Sequence, residues 1–291
     1  MKRLLRVCLT VILVTGLFLI VRRELGVLSS GSDNADAAQI AGLPPVTSAQ
    51  PHQPAQPDEP DGEPQPAQDA PPSSPDEPAT QPEEAAQQSY QPVEAKVSDL
   101  EGVDLEALRE VNGDVVGWIL IPGTVVSYPL MQGADNDYYL KHTWMRRYST
   151  AGSIFLECQN DPSLEGFHTI IYGHRMSNGT MFGALKNYSS QNYWKNHPSV
   201  YIVSDAGVMR YDIFSAYEAG VTDIVYYQDL TGREEDFIQF CLDHSDIDTG
   251  IQPGPEDRIV TLSTCASQGF ETRWTVHAVL RQEEARSLAE Q

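Results

Sequence analysis

Several features are missing from this chain, and each absence closes off a class of function. It has no Cys-x-x-Cys or His-Glu-x-x-His spacing, and its seven histidines are scattered, so a metal site is not indicated. It has no glycine-rich phosphate loop. Basic residues are scarce: 19 Lys and Arg face 41 Asp and Glu, a net charge of −22. Nucleic acid is therefore not a partner, because phosphate binding needs concentrated Lys and Arg. With four cysteines in 291 residues, the chain is not a disulfide scaffold either.

What is present divides into parts by composition. Residues 1–28 carry Lys2, Arg3 and Arg6, the apolar stretch Val7 to Val21, and then Arg22 and Arg23. About 20 apolar residues span a bilayer, and this run reaches that when Leu4, Leu5 and snorkelling arginines are counted. No small-x-small cleavage site comes directly after the run. The segment reads as an uncleaved single-pass signal anchor, with a cleaved signal peptide as the alternative.

Residues 29–97 read as a disordered linker. Of the 20 prolines, 14 fall between residues 29 and 95, where large apolar residues are almost absent. From residue 29 to 99, 13 acids face Lys96 alone. Such a chain repels itself and would hold the C-terminal part of the protein about 50 Å from the membrane. Residues 98–281 have the composition of a folded domain, and 282–291 form a short C-terminal tail.

The folded part contains the feature that carries chemistry. Arg258-Ile-Val-Thr-Leu-Ser-Thr264 is a β-branched, apolar run suited to a buried strand, and it leaves Cys265 at the strand end. A thiol there, with His174 upstream and Arg273 eight residues on, matches what acyl transfer needs. The reaction requires a nucleophile, a proton carrier for the leaving amine and a cationic donor for the oxyanion. A neighbouring Arg also favours the thiolate over the thiol. Taken singly, each residue has a plainer reading: a buried small apolar group, a turn histidine, a strand charge facing water.

The combination Thr261-Leu-Ser-Thr-Cys265, upstream His174 and downstream Arg273 closely resembles the signature of the sortases, membrane-anchored cysteine transpeptidases of Gram-positive surfaces. Further segments resemble class B sortases: Val116-Gly-Trp-Ile-Leu-Ile-Pro-Gly123, Asp135-Asn-Asp-Tyr-Tyr-Leu140, Ala151-Gly-Ser-Ile-Phe-Leu156, Ile170-Ile-Tyr-Gly-His-Arg-Met176 and Gly179-Thr-Met-Phe-Gly183. The resemblance covers roughly residues 100–281. It implies a mainly β fold with short helices: a closed eight-stranded barrel, an N-terminal helix, and a helix in the connection before the Cys-bearing strand. It implies that Cys265, His174 and Arg273 are catalytic, and that Asn136, Leu140, Ser263 and Thr264 contact substrate.

Local pattern places these residues. Asp104 caps a short helix through Val111, and strands are expected over 117–121, 125–130, 153–158, 169–172, 200–204, 209–216, 258–264 and 272–280. Short helices are expected over 181–188 and 191–196, and a longer one over Glu234 to His244. Cys241 shares a helical face with Phe237 and reads as core packing, so a Cys158–Cys241 disulfide is disfavoured.

The resemblance also implies the partners: a C-terminal sorting-signal peptide of an exported surface protein, an amine of a peptidoglycan precursor, and the membrane. The catalytic domain would face the cell wall from outside the cell. No cofactor is implied, and a monomer is the default. The rival readings are a pilus-polymerising sortase that uses a pilin Lys as acceptor, a secreted cysteine protease, and a non-catalytic wall-binding module.

Overall fold

The computed structural model describes residues 30–43, 92, 95, 97–265 and 271–281. The expected anchor over 1–28, most of the expected linker, the turn over 266–270 and the tail over 282–291 lie outside them. Among the described residues no helix is long and apolar enough to cross a membrane.

Eight strands close into a barrel: β1 (Val115–Leu120), β2 (Ser127–Met131), β3 (Ile154–Leu156), β4 (His168–Gly173), β5 (Ser199–Ser204), β6 (Gly207–Gly220), β7 (Ile259–Cys265) and β8 (Thr272–Leu280). Their order around the wall is β1-β2-β3-β4-β7-β8-β6-β5, with β5 returning to β1. The β2–β3 and β4–β7 pairs are parallel and the rest antiparallel. Each parallel pair needs a long crossover, and these crossovers hold Asn136, Leu140 and His174.

Alternation explains the layers. Along β7, Val260 and Leu262 join Ile171, Val276 and Ala278 inside the barrel, while Ile259 packs outside with Val279. Outside β6 and β8 lies α5 (Glu234–Asp243), which buries Phe237, Ile238 and Cys241 against Phe214 and Tyr217. Phe237 alone, fully buried, stabilises this contact by about 2 kcal/mol. Cys241 is the packing residue expected, and Cys158 and Cys241 are both free thiols. On another flank, after the one-turn α2 (Val97–Leu100), α3 (Leu105–Val111), capped by the Asp104 carboxylate on the Ala107 N–H, sets Leu105 and Leu108 against Trp118, Tyr201 and Val203.

Two expectations are corrected. The helix expected over 181–188 is only a 3-10 turn at Leu185–Ser189, preceded by Met181 at φ 54°, outside helical space. α4 (Gln191–Asn196) forms as expected.

The larger correction concerns the linker. Residues 30–40 are helical (α1), and α1 packs on the flank of the barrel that carries α3. Its contact face is built from Ala37, Ala38 and Ala41, all buried, and Asp33 is wholly enclosed. Composition hid this. Alanines bury little area each but allow close approach, and the remaining attraction is polar.

Candidate active site

The parallel β4–β7 ladder and the antiparallel β7–β8 ladder settle what lies beside what. Gly173 is opposite Thr264, and Cys265 is opposite Arg273. His174 comes immediately after Gly173, so positions 174, 265 and 273 gather at one end of three adjacent strands.

Glycine is required before the histidine. A Cβ on Gly173 would lie 2.4 Å from Ile154 Cδ1 and 2.7 Å from Phe182 Cδ2. The loop beyond is fixed by Phe182 N–H donating to the His174 carbonyl (3.0 Å) and by Met181 N–H donating to the Tyr128 hydroxyl (3.0 Å).

His174 is half-buried, and its Nε2 lies 2.8 Å from the carbonyl oxygen of Leu140. A carbonyl only accepts, so Nε2 carries the hydrogen and Nδ1 is the nitrogen left for proton transfer. Leu140, expected from the resemblance to contact substrate, also holds His174 through its backbone carbonyl. Gly152 fits against this stretch at φ 58°, where a Cβ would lie 2.8 Å from the Leu140 oxygen.

Below this end, the outer faces of β3, β4 and β7 form a polar floor. Glu157, just past β3, is buried and accepts from many donors. Asn136 Nδ2 lies 2.7 Å from both its oxygens and the Tyr172 hydroxyl 3.0 Å from Oε2. Burial, reinforced by the Glu157 charge, pushes the Tyr172 phenol far above its ordinary range, while Arg273 pulls the other way. Tyr172 is thus a neutral donor next to a cation. Ser263, opposite Tyr172 in register, has its hydroxyl 2.9 Å from that of Tyr226, which covers it.

The other expected substrate contacts are less open than the sequence suggested. Asn136 uses its amide nitrogen on Glu157 and its oxygen on the Cys158 N–H (2.9 Å). Thr264 is buried and lies opposite Trp274, whose ring packs inside the barrel. Of these four residues, only Asn136 and Leu140 keep partly exposed surface.

Glu157 escaped the sequence reading. Its signal was a lone acid ending the apolar run Ser153-Ile-Phe-Leu156. The two described free thiols are less suited to attack. Burial pushes the Cys241 thiol well up, and burial, then the neighbouring Glu157, raises that of Cys158. By its backbone position opposite Arg273, the nucleophile candidate is Cys265.

Residues 119–281 match the Sortase domain family. The chain belongs to the sortase family. It is 36% identical to Sortase B of Listeria monocytogenes over 168 residues, covering 57% of this chain and 68% of that protein. To Sortase B of Staphylococcus aureus it is 33% identical over 193 residues, covering 65% and 78%. The solved Staphylococcus aureus sortase B-substrate complex superposes with a TM-score of 0.58 at 31% identity, covering 61% of this chain and 84% of that one. The sortase here is therefore a cysteine transpeptidase of the B type, on the same closed, mixed eight-stranded barrel.

Proposed function

We propose that this sortase cleaves a C-terminal sorting signal of exported proteins through a Cys265 thioester and passes the acyl group to a cell-wall precursor amine. The observation that carries this reading is the register that gathers positions 174, 265 and 273 at one end of β4, β7 and β8.

In the first step the Cys265 thiolate attacks the carbonyl carbon of the signal's Thr, and the carbonyl π pair moves onto oxygen. Arg273 stabilises that oxyanion with a charge that persists at any physiological pH. The tetrahedral intermediate collapses by breaking the C–N bond. His174, protonated at Nδ1, gives its proton to the departing amine. The thioester is then attacked by the acceptor amine, which loses a proton to the same Nδ1, and the thiolate leaves.

Asn136, Leu140, Ser263 and Thr264 shape the peptide groove in this scheme, Leu140 also through its carbonyl. Residues 1–28 anchor the enzyme, and the catalytic domain acts outside the cell facing the wall.

The test is intact-mass analysis of the enzyme incubated with a small library of sorting-signal peptides, with and without an amine acceptor. The expected result is an acyl adduct on Cys265, absent in Cys265→Ala, that acceptor converts to ligated peptide. An adduct that only hydrolyses would instead favour a protease.

A further inference from the structure

The N-terminal helix makes contacts that a spacer would not make. Asp33 is wholly buried. Its Oδ2 accepts from the Thr143 hydroxyl at 2.6 Å, and its main-chain carbonyl accepts from Trp144 Nε1 at 2.6 Å. Oδ1 lies 3.0 Å from the Arg147 guanidinium. Three hydrogen-bonding or ionic contacts thus fall on residues 143–147. A buried carboxylate is held this way only where its charge is compensated, and removing its partners is costly.

That segment leads directly from the Leu140 carbonyl that holds His174. It is gripped from the other side by Asn112, whose Nδ2 donates to the Trp144 carbonyl and to the Tyr139 hydroxyl. Ser149 N–H donates to the Lys141 carbonyl and Ser153 N–H to the Tyr139 carbonyl, closing the loop on itself. The loop is a clamped unit with Asp33 on one face, Asn112 on another and His174 against its Leu140 carbonyl.

The chain path adds a second observation. The Asp104 N–H donates to the Ala41 carbonyl at 3.3 Å, and Gly42 and Gly102 approach so closely that a Cβ on Gly42 would lie 3.6 Å from the Gly102 oxygen. The proline-rich stretch between them therefore leaves and returns at one patch. Closing such an excursion is tolerable, since loop-closure entropy grows only with the logarithm of length. A segment whose two ends meet cannot space the barrel from whatever precedes α1.

We infer that Asp33 is a positioning residue, and that α1 belongs to the catalytic unit. Through Thr143, Trp144 and Arg147 it fixes the loop whose Leu140 carbonyl sets the His174 ring. The inference rests on the proposed role of His174. With residues 1–28 as anchor, it also puts the barrel next to the membrane rather than at the end of a spacer.

The experiment uses the full chain with one protease site placed between residues 55 and 75, cut after folding. The N-terminal fragment of the nicked protein should stay bound through gel filtration, and the Asp33→Ala fragment should dissociate. In uncut Asp33→Ala, the His174 Nε2–H resonance should shift and its solvent exchange accelerate. Acylation kcat should fall about tenfold or more with KM little changed, as expected for a misplaced proton carrier, and Asp33→Asn, which keeps the acceptor for Thr143, should recover part of it. Release of the wild-type fragment on nicking would overturn the docking. An unmoved His174 resonance in Asp33→Ala would overturn the positioning role. Absence of transpeptidation in the wild-type enzyme would count against the proposed function, while the fragment and resonance readouts still decide the role of Asp33.

Discussion

The Nε2 atom of His174 sits 2.8 Å from the Leu140 carbonyl oxygen, 34 residues away in sequence. This single contact assigns the tautomer, because the carbonyl selects the Nε2–H form and leaves Nδ1 as the working nitrogen. Nitrogen-15 spectra of the neutral enzyme should show a slowly exchanging Nε2–H for His174. His174→Ala should lower kcat by about 10²–10⁴-fold, the usual contribution of a general acid–base. A dominant Nδ1–H signal would contradict the assignment.

Arg273 lies opposite Cys265 and near enough to Tyr172 to lower the cost of ionising its phenol. Arg273→Ala should reduce kcat by roughly 10²–10³-fold, the scale of losing one oxyanion donor. Arg273→Lys should recover only part, because an ammonium keeps the charge without the planar fork. Single-turnover acylation kinetics separate this from an effect on peptide binding. Equal activity in the Lys and Arg enzymes would make the position a simple point charge.

Glu157 organises the floor, and its removal leaves donors stranded. In Glu157→Ala the half-buried Asn136 amide and Tyr172 hydroxyl lose their acceptor, a cost below the ~1–3 kcal/mol of a fully buried group. Thermal unfolding should show a clear loss, and Glu157→Gln, with one acceptor oxygen left, should fall between. A variant as stable as wild type would mean that water replaces the carboxylate freely.

The contrast between Cys265 and Glu157 explains what was legible in the sequence. Cys265 sits in a local motif at the end of an apolar strand, and His174 and Arg273 are each one element away in the barrel. That motif, with the family resemblance it carries, pointed to all three as candidates, and the strands themselves could be read from alternation. Glu157 gains meaning only from Asn136 and Tyr172, 21 and 15 residues distant, and from its burial. Likewise α1 was invisible because its packing face is alanine and its main latch is an aspartate. Composition assigns the aspartate to water, and alanine carries too little apolar area to mark a core.

Gly173 tests how tightly the site end is packed. Gly173→Ala would put a methyl within 2.4 Å of Ile154 and 2.7 Å of Phe182, so β4 or the Phe182 loop must shift. Overpacking of this kind costs about 1–3 kcal/mol. The shift falls on the residue before His174, so kcat should drop by more than the stability loss accounts for. Activity measured well below the melting temperature distinguishes the two effects. A fully active, merely less stable variant would show that His174 tolerates the displacement.

Beneath α5, the Thr261 hydroxyl bridges His168 Nε2 (2.7 Å) and His277 Nδ1 (2.8 Å), with Phe237 and Tyr217 packed around the rings. Burial pushes His168 down to about 3 and His277 well below its ordinary value, the latter also through the neighbouring His168. Both therefore titrate lower in the folded than in the unfolded chain. As pH falls below about 6.5, unfolded imidazoles take up protons that the folded ones refuse, and stability is lost progressively towards the folded value. The limiting slope is about 1.4 kcal/mol per pH unit for each fully shifted histidine. His277, wholly enclosed, carries the larger share, since His168 keeps some exposed surface. Denaturant unfolding between pH 6.5 and 5, above the range where ordinary carboxylates titrate, should show this slope in the wild type and a shallower one in His277→Phe, which keeps an aromatic ring among Phe214, Tyr217 and Phe237. The slope, not the absolute stability, is the quantity to compare. An unchanged slope in the variant would mean that His277 is protonated in the folded enzyme or screened by water reaching the cluster.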